Sequence, residues 1–207
     1  MAGGKSLRLG RDKALETINK RSLIERAVEC LCSVSNEVLV VTSQEQLGLI
    51  GSARLKAKVI VDLYPGRGAL GGIHTGLMNS ATFHSLVVAC DMPFLNRDLL
   101  CYLIGLAPNF DAVVPEFDDM TEPLHAVYSK NCLSPVEQLL RQDSLRISGL
   151  FCLVKTKYVG EDEIAKFDPE HLAFLNVNTR NDLERVKVLM RHREQLTTVR
   201  RDKSIGD

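Results

Sequence analysis

The residues with the clearest chemical potential stand at the amino end. Residues 2–13 read Ala2-Gly3-Gly4-Lys5-Ser6-Leu7-Arg8-Leu9-Gly10-Arg11-Asp12-Lys13. Glycines let backbone N–H groups turn toward a ligand and approach it closely. Lysine and arginine spread through one loop neutralise a polyphosphate from several sides. Residues 1–26 hold seven Lys or Arg against three acids, in a chain whose formal net charge is zero. This pattern points to an anion site, and composition alone leaves a solvated basic terminus as the alternative. A carboxylate follows far downstream. Asp91 comes directly after the apolar run Ser85 to Cys90 and before Met92-Pro93. That is the carboxyl end of a strand, where open α/β sheets bind ligands. Mg2+ prefers oxygen and is usually held by one or two carboxylates plus substrate phosphates, so Asp91 is the expected metal ligand.

Asp62 likewise ends an apolar run and precedes Tyr64-Pro65-Gly66. A carboxylate there either accepts N–H donors from a heterocycle or forms the turn itself. Asn176 and Asn178 flank Val177 ahead of a helix start. Paired amides suit a ring edge of mixed donors and acceptors, or serve as turn and N-cap residues. Two familiar labels fit poorly. Gly4-Lys5-Ser6 matches the end of a Walker A loop, but that motif's first glycine would fall ahead of residue 1. Gly66-Arg67-Gly68-Ala69-Leu70-Gly71 is a literal G-x-G-x-x-G, yet Asp62-Leu63-Tyr64-Pro65 separates it from the strand on which a dinucleotide fingerprint should open.

Positioning these groups requires a sheet. Val38 to Thr42, Lys58 to Val61, Ser85 to Cys90 and Ala112 to Pro115 are short runs rich in Val or Leu. Nearly continuous hydrophobicity is what parallel strands covered on both faces need. Leu124 to Tyr128 and Ala173 to Asn176 are expected to add strands. Helix starts are legible between them. Ser22 with Glu25, and Ser134 with Glu137, have capping-box spacing, and Pro135 falls at a first helical position. Asn96 is placed to cap a helix from Arg97, and Thr179 with Asp182 to start one running to about Arg193. Strands alternating with helices predict βαβ units. The expected fold class is α/β, with a mostly parallel sheet. The acidic stretch Asp111 to Glu122, with five acids and no base, reads as a surface loop. One domain is expected over residues 1–195, with 196–207 a frayed tail.

With 207 residues, 45% apolar and 25% charged, the chain has ordinary globular composition, which excludes wholesale disorder. Charge balance argues against a surface that is wholly a nucleic-acid or membrane magnet. The six cysteines form no C-x-x-C pair and read as reduced small hydrophobes. No apolar stretch approaches the roughly 18 residues of a membrane helix, and the expected location is the cytoplasm.

The blocks together resemble a family. A-G-G-K-S-x-R-x-G-x-D-K at 2–13 is similar to the nucleotide-binding loop of molybdenum cofactor guanylyltransferases, within the broader nucleotidyltransferase group. Asp62 with Pro65-Gly66-x-Gly68-Ala69-Leu70-Gly71-Gly72, then Cys90-Asp91-Met92-Pro93-Phe94, Glu122-Pro123-Leu124-His125-Ala126-Val127-Tyr128 and Asn176-Val177-Asn178-Thr179 agree in order. The resemblance spans about residues 1–190 and implies a Rossmann-like three-layer α/β/α nucleotidyltransferase fold and transfer of GMP from GTP to the terminal phosphate of molybdopterin. It implies nucleotide contacts from Met1, Ala2, Gly3, Gly4, Lys13, Asp62 and Asp91, catalytic roles for Arg8, Lys13 and Asp91, and pterin contacts from Asn176 and Asn178. Ser43 and Arg67 are further candidates, for the nucleotide and for the pterin's phosphate respectively. Mg2+ is the implied cofactor, with Asp91 its ligand. Molybdoenzyme apoproteins or cofactor-insertion proteins are the implied partners, with no nucleic acid and no membrane among them. Family members carry a buried apolar strand ahead of A-G-G. Met1 stands at its last position, so only the end of a first strand is expected here. Transfer from CTP, a sugar-phosphate acceptor, or a non-catalytic cofactor carrier would keep the same fold.

Overall fold

The computed structural model describes residues 1–2, 13–53, 55–118 and 120–203, with side chains described through Arg193. A 3-10 turn at Lys13–Leu15 leads into a small antiparallel hairpin, β1 (Thr17–Ile18) and β2 (Arg21–Ser22). Helix α1 (Leu23–Cys32) starts as its sequence predicts. The Ser22 side chain accepts the Glu25 N–H, while the Glu25 carboxylate accepts the Ser22 N–H. Then follow β3 (Leu39–Thr42), α2 (Leu47–Ser52), β4 (Lys58–Val61), α3 (Gly68–Asn79), β5 (His84–Val88) and α4 (Arg97–Leu106). Asn96 caps α4 by accepting from the N–H groups of Asp98 and Leu99. The second half adds β6 (Ala112–Phe117), β7 (Met120–Thr121), β8 (His125–Ser129), α5 (Leu133–Arg141), α6 (Ser148–Phe151), β9 (Thr156–Val159), α7 (Glu161–Ile164) and α8 (Arg180–Lys203).

β3 pairs in parallel with β4, and β5, β8 and β6 form a second ladder extended by β9, which runs parallel to β6. Met1 and Ala2 join the two. The Met1 nitrogen donates to the Val88 carbonyl at 2.6 Å and the Met1 carbonyl accepts from Cys90 N–H at 3.1 Å. On the other side Ala2 N–H donates to the Val41 carbonyl at 2.8 Å. Bonds to residues either side of Ala89 are the parallel pattern. The sheet therefore reads β4–β3–(1–2)–β5–β8–β6–β9, with β8 alone among these antiparallel to its neighbours. Among the described residues, Met1 and Ala2 lie between β3 and β5. A cavity of about 120 Å³, lined in part by Leu39, Val41, Gly76, Leu86 and Val88, continues their line away from Asp91.

Strand alternation divides the core between two faces. Ala112, Val114, Ala126 and Tyr128 pack with Leu70, Ile73 and Leu77 of α3 and with α5. Val113 and Val127 face the other way, against Leu99 and Leu103 of α4, Ile164 of α7 and Phe174. The three layers follow from that division.

Several expectations are corrected. Ala173 to Asn176 is not a strand: Leu172–Phe174 forms a 3-10 turn whose Phe174 ring packs on Phe117 and His125. Ser134 does not cap α5. A 3-10 turn at Lys130–Cys132, capped by Ser129, runs straight into the helix and starts it earlier. The acidic stretch is β6 and the β6–β7 hairpin rather than a loop, because Ala112, Val113 and Val114 are wholly buried. α8 continues to Lys203, past the end expected near Arg193. β9 is an unforeseen strand.

His125 lies wholly inside, and neither ring nitrogen finds a partner among the described residues. Burial therefore pushes its pKa down to about 3. The unfolded chain takes up that proton below a pH of about 6.5 while the folded one does not, so acid favours unfolding across this window. At pH 5 the cost is about 2 kcal/mol, taking about 1.4 kcal/mol per pH unit. Between pH 7 and 5, urea unfolding of the parent chain should therefore lose about 2 kcal/mol more than that of His125→Leu. Parallel pH profiles would show that the ring protonates in place.

Candidate active site

The sheet brings the chemistry to its carboxyl edge. Asp91 follows β5 and is one residue beyond the Cys90 N–H that bonds Met1. Its carbonyl accepts from Val177 N–H at 2.9 Å. The Asn176–Asn178 segment thereby docks on the end of the β5 strand, anchored by Val177, which is fully buried beside Ile18, Leu23 and Phe94. Lys13, at the start of the first 3-10 turn, reaches the same place. Its ammonium donates to the Asn178 amide oxygen at 2.7 Å and lies 3.9 Å from Asp91 Oδ2. The Lys13 and Asp91 side chains are 19% and 21% exposed, so both charges are largely covered. Burial pushes the Asp91 carboxyl pKa up, and the Lys13 charge pulls against it.

The N-cap of α8 fixes Asn178. The Asp182 carboxylate accepts the N–H groups of Asn178 (2.9 Å) and Thr179 (2.7 Å), and Thr179 Oγ1 accepts the Asp182 N–H (3.2 Å). These bonds hold the Asp182 carboxyl below the usual range, against a burial effect that raises it.

Asp62 sits at the end of β4, at the same edge but on the far side of Met1–Ala2. One of its oxygens is committed to the turn: Oδ1 accepts from Tyr64 N–H at 3.0 Å and from the Thr75 hydroxyl at 2.9 Å. Gly66 and Gly68 then take φ of +80° and +62°, a region open to glycine. α3 begins at Gly68. A Cβ at Gly71 would lie 2.8 Å from the Tyr64 carbonyl, so the helix packs against the turn only because that residue is glycine. The literal G-x-G-x-x-G is thus turn and helix-packing chemistry set back from the strand.

The structure thus brings Lys13, Asp91 and Asn178 into one group, with Met1 and Ala2 in the strand beside it. Gly3, Gly4 and Arg8 lie outside the described residues. Asn176 donates its amide to the Phe174 carbonyl at 3.2 Å, within its own turn. Arg67 is paired with Asp143, and Ser43 bonds Gln46 at 3.4 Å. The Lys13–Asn178 contact joins residues 165 apart in sequence, and no local signal announces it.

Residues 1–151 match the family described as MobA-like NTP transferase domain. A "Probable molybdenum cofactor guanylyltransferase" of Pelotomaculum thermopropionicum is 37% identical over 189 residues, covering 91% of this chain and 90% of that protein. A "Molybdenum cofactor guanylyltransferase" of Desulfosudis oleivorans is 33% identical over 195 residues, covering 92% and 94%. Among solved structures, molybdopterin-guanine dinucleotide biosynthesis protein A from Archaeoglobus fulgidus superimposes with a TM-score of 0.80 at 30% identity, covering 92% of this chain and 96% of that one. Similarity of this extent, over a sheet that carries its basic and acidic groups at one edge, makes the chain a member of the molybdenum cofactor guanylyltransferase family of nucleotidyltransferases.

Proposed function

We propose that this chain transfers GMP from GTP to the terminal phosphate of molybdopterin. An oxygen of that phosphate attacks the α-phosphorus of GTP, a new P–O bond forms, the bond to the β-phosphate oxygen breaks, and pyrophosphate leaves with its electron pair. Such a step needs in-line positioning and neutralisation of developing charge more than a protein nucleophile. The observation that carries the reading is the pairing of Lys13 with Asp91 at one strand end, beside the strand that leads into the glycine loop. Lys13 draws charge from the phosphates, with Arg8 assisting. By resemblance Gly3 and Gly4 offer their backbone N–H groups to the nucleotide, since the Ala2 N–H is committed to the Val41 carbonyl. Asp62 keeps one oxygen outside its turn bonds for a nucleotide N–H.

Among the described residues no group of three or more His, Cys, Asp or Glu is placed to hold a metal ion. Mg2+ that arrives with the phosphates needs no such cage, only one or two carboxylates, and Asp91 suits that role. Asp91 would hold the ion there, and the chemistry supplied would be positive charge against the phosphates. No helix among the described residues is long and apolar enough to cross a membrane. A reaction that consumes GTP and serves molybdoenzyme apoproteins or cofactor-insertion proteins belongs in the cytoplasm.

The test is mass spectrometry of the pterin fraction after incubation with molybdopterin, GTP and Mg2+. The expected product is the acceptor heavier by one guanylyl group, with release of pyrophosphate. Equal or stronger conversion with CTP would turn the reading toward a cytidylyltransferase.

A further inference from the structure

We propose that Asn178 is a positioning residue for Lys13, a neutral spacer that holds the ammonium at a set distance from Asp91. This rests on the functional reading above. A charge-assisted contact between ammonium and carboxylate closes to about 2.7–2.9 Å. Here the Lys13 nitrogen stops 3.9 Å from Asp91 Oδ2 and instead meets Asn178 Oδ1 at 2.7 Å. An ammonium carries three N–H donors, so the amide does not displace the carboxylate; it fixes the direction of one donor while Asp91 stays beyond direct hydrogen-bond reach.

The spacer itself is held from both sides. Val177 N–H bonds the Asp91 carbonyl, so the segment is tied to the strand end it faces. One residue later, Asp182 grips the Asn178 and Thr179 N–H groups at the start of α8. The backbone points from which the Asn178 amide and the Asp91 carboxylate extend are therefore held relative to one another, and the flexible lysine stem adapts to them. A neutral acceptor matters, since a carboxylate at residue 178 would bind the ammonium as tightly as Asp91 can. With an amide there, Lys13 is pre-oriented toward the triphosphate and Asp91 keeps its oxygens for Mg2+. Pre-orientation strengthens binding by sparing the rotamer entropy of a long side chain.

The test is calorimetric titration of the full chain with GTP and Mg2+, without pterin. Asn178 is exposed, so Asn178→Ala should keep its thermal midpoint within a few degrees while binding GTP about fivefold more weakly. Asn178→Asp, equal in shape but charged, should bind GTP at least as weakly. In a Lys13→Ala background, Asn178→Ala should add no further loss, a coupling that a merely structural role would not produce. Unchanged GTP affinity in Asn178→Ala, or the same loss with and without Lys13, would overturn the proposal and leave the guanylyltransferase reading standing. A parent chain that binds no GTP would overturn both.

Discussion

Asp91→Asn should lower turnover by at least about 10²-fold under saturating GTP and Mg2+, because Asp91 would hold the cation that offsets negative charge developing on the phosphates, and electrostatic groups of this kind contribute a few kcal/mol. The substitution keeps the side chain's shape and takes away its charge. The main-chain bond from Val177 N–H to the Asp91 carbonyl is untouched, so the docking of residues 176–178 should survive. Burial already presses against the ionised carboxylate, and the folded chain therefore does not depend on this charge for its stability. Thermal unfolding should show Asn at residue 91 to be neutral or slightly stabilising. Pyrophosphate release is the direct readout, and Asp91→Ala should match Asp91→Asn within a few fold. Near-normal turnover in either variant would remove Asp91 from the chemistry. A large loss of stability would mean instead that the carboxylate holds the strand end together.

Local signals were read most accurately from the sequence. The Ser22–Glu25 box, the Asn96 cap and the Thr179–Asp182 start need only residues three apart, and all three form. Ser134 carries the same spacing and fails, because Ser129 upstream opens a 3-10 turn that already delivers the chain into α5. Spacing names a possible cap, and the preceding turn decides whether it is used. The run Ala173 to Asn176 is apolar enough for a strand, yet Phe174 finds its partners in the rings of Phe117 and His125 as a single turn. β9 went unseen for the opposite reason. In Thr156-Lys157-Tyr158-Val159 only Val159 is fully buried, and parallel pairing with β6 sets the rest of the strand.

The candidate site divides along the same line. Lys13 and Asp91 were legible because a cationic glycine loop and a carboxylate after an apolar run are chemical signals in themselves. Asp62 was legible as a strand-end acid, but its commitment to Thr75 and Tyr64 depends on how α3 folds back over the turn. The role of Asn178 was not legible, since a paired amide before a helix looks the same whether it faces a ring, caps a turn or holds a lysine. That choice is made by tertiary contact alone.

Lys13→Ala should also cost at least about 10²-fold in turnover, by the same electrostatic argument, but with a different signature. Lys13 bonds at the surface of the site, is 19% exposed and lies outside the four apolar clusters. Its removal should therefore leave the fold intact. Unlike Asp91→Asn, it takes away a group that meets phosphate in the ground state as well as in the transition state, so KM for GTP should rise together with the fall in kcat. The two residues also stand 3.9 Å apart, as neighbours in one site. Residues that work as a unit are strongly non-additive. The double variant should thus be scarcely slower than the worse of the two singles, whereas independent groups would multiply to about 10⁴-fold. Multiplicative losses would place Lys13 and Asp91 in separate steps, and a Lys13→Ala enzyme with unaltered KM and kcat would take the lysine out of the site.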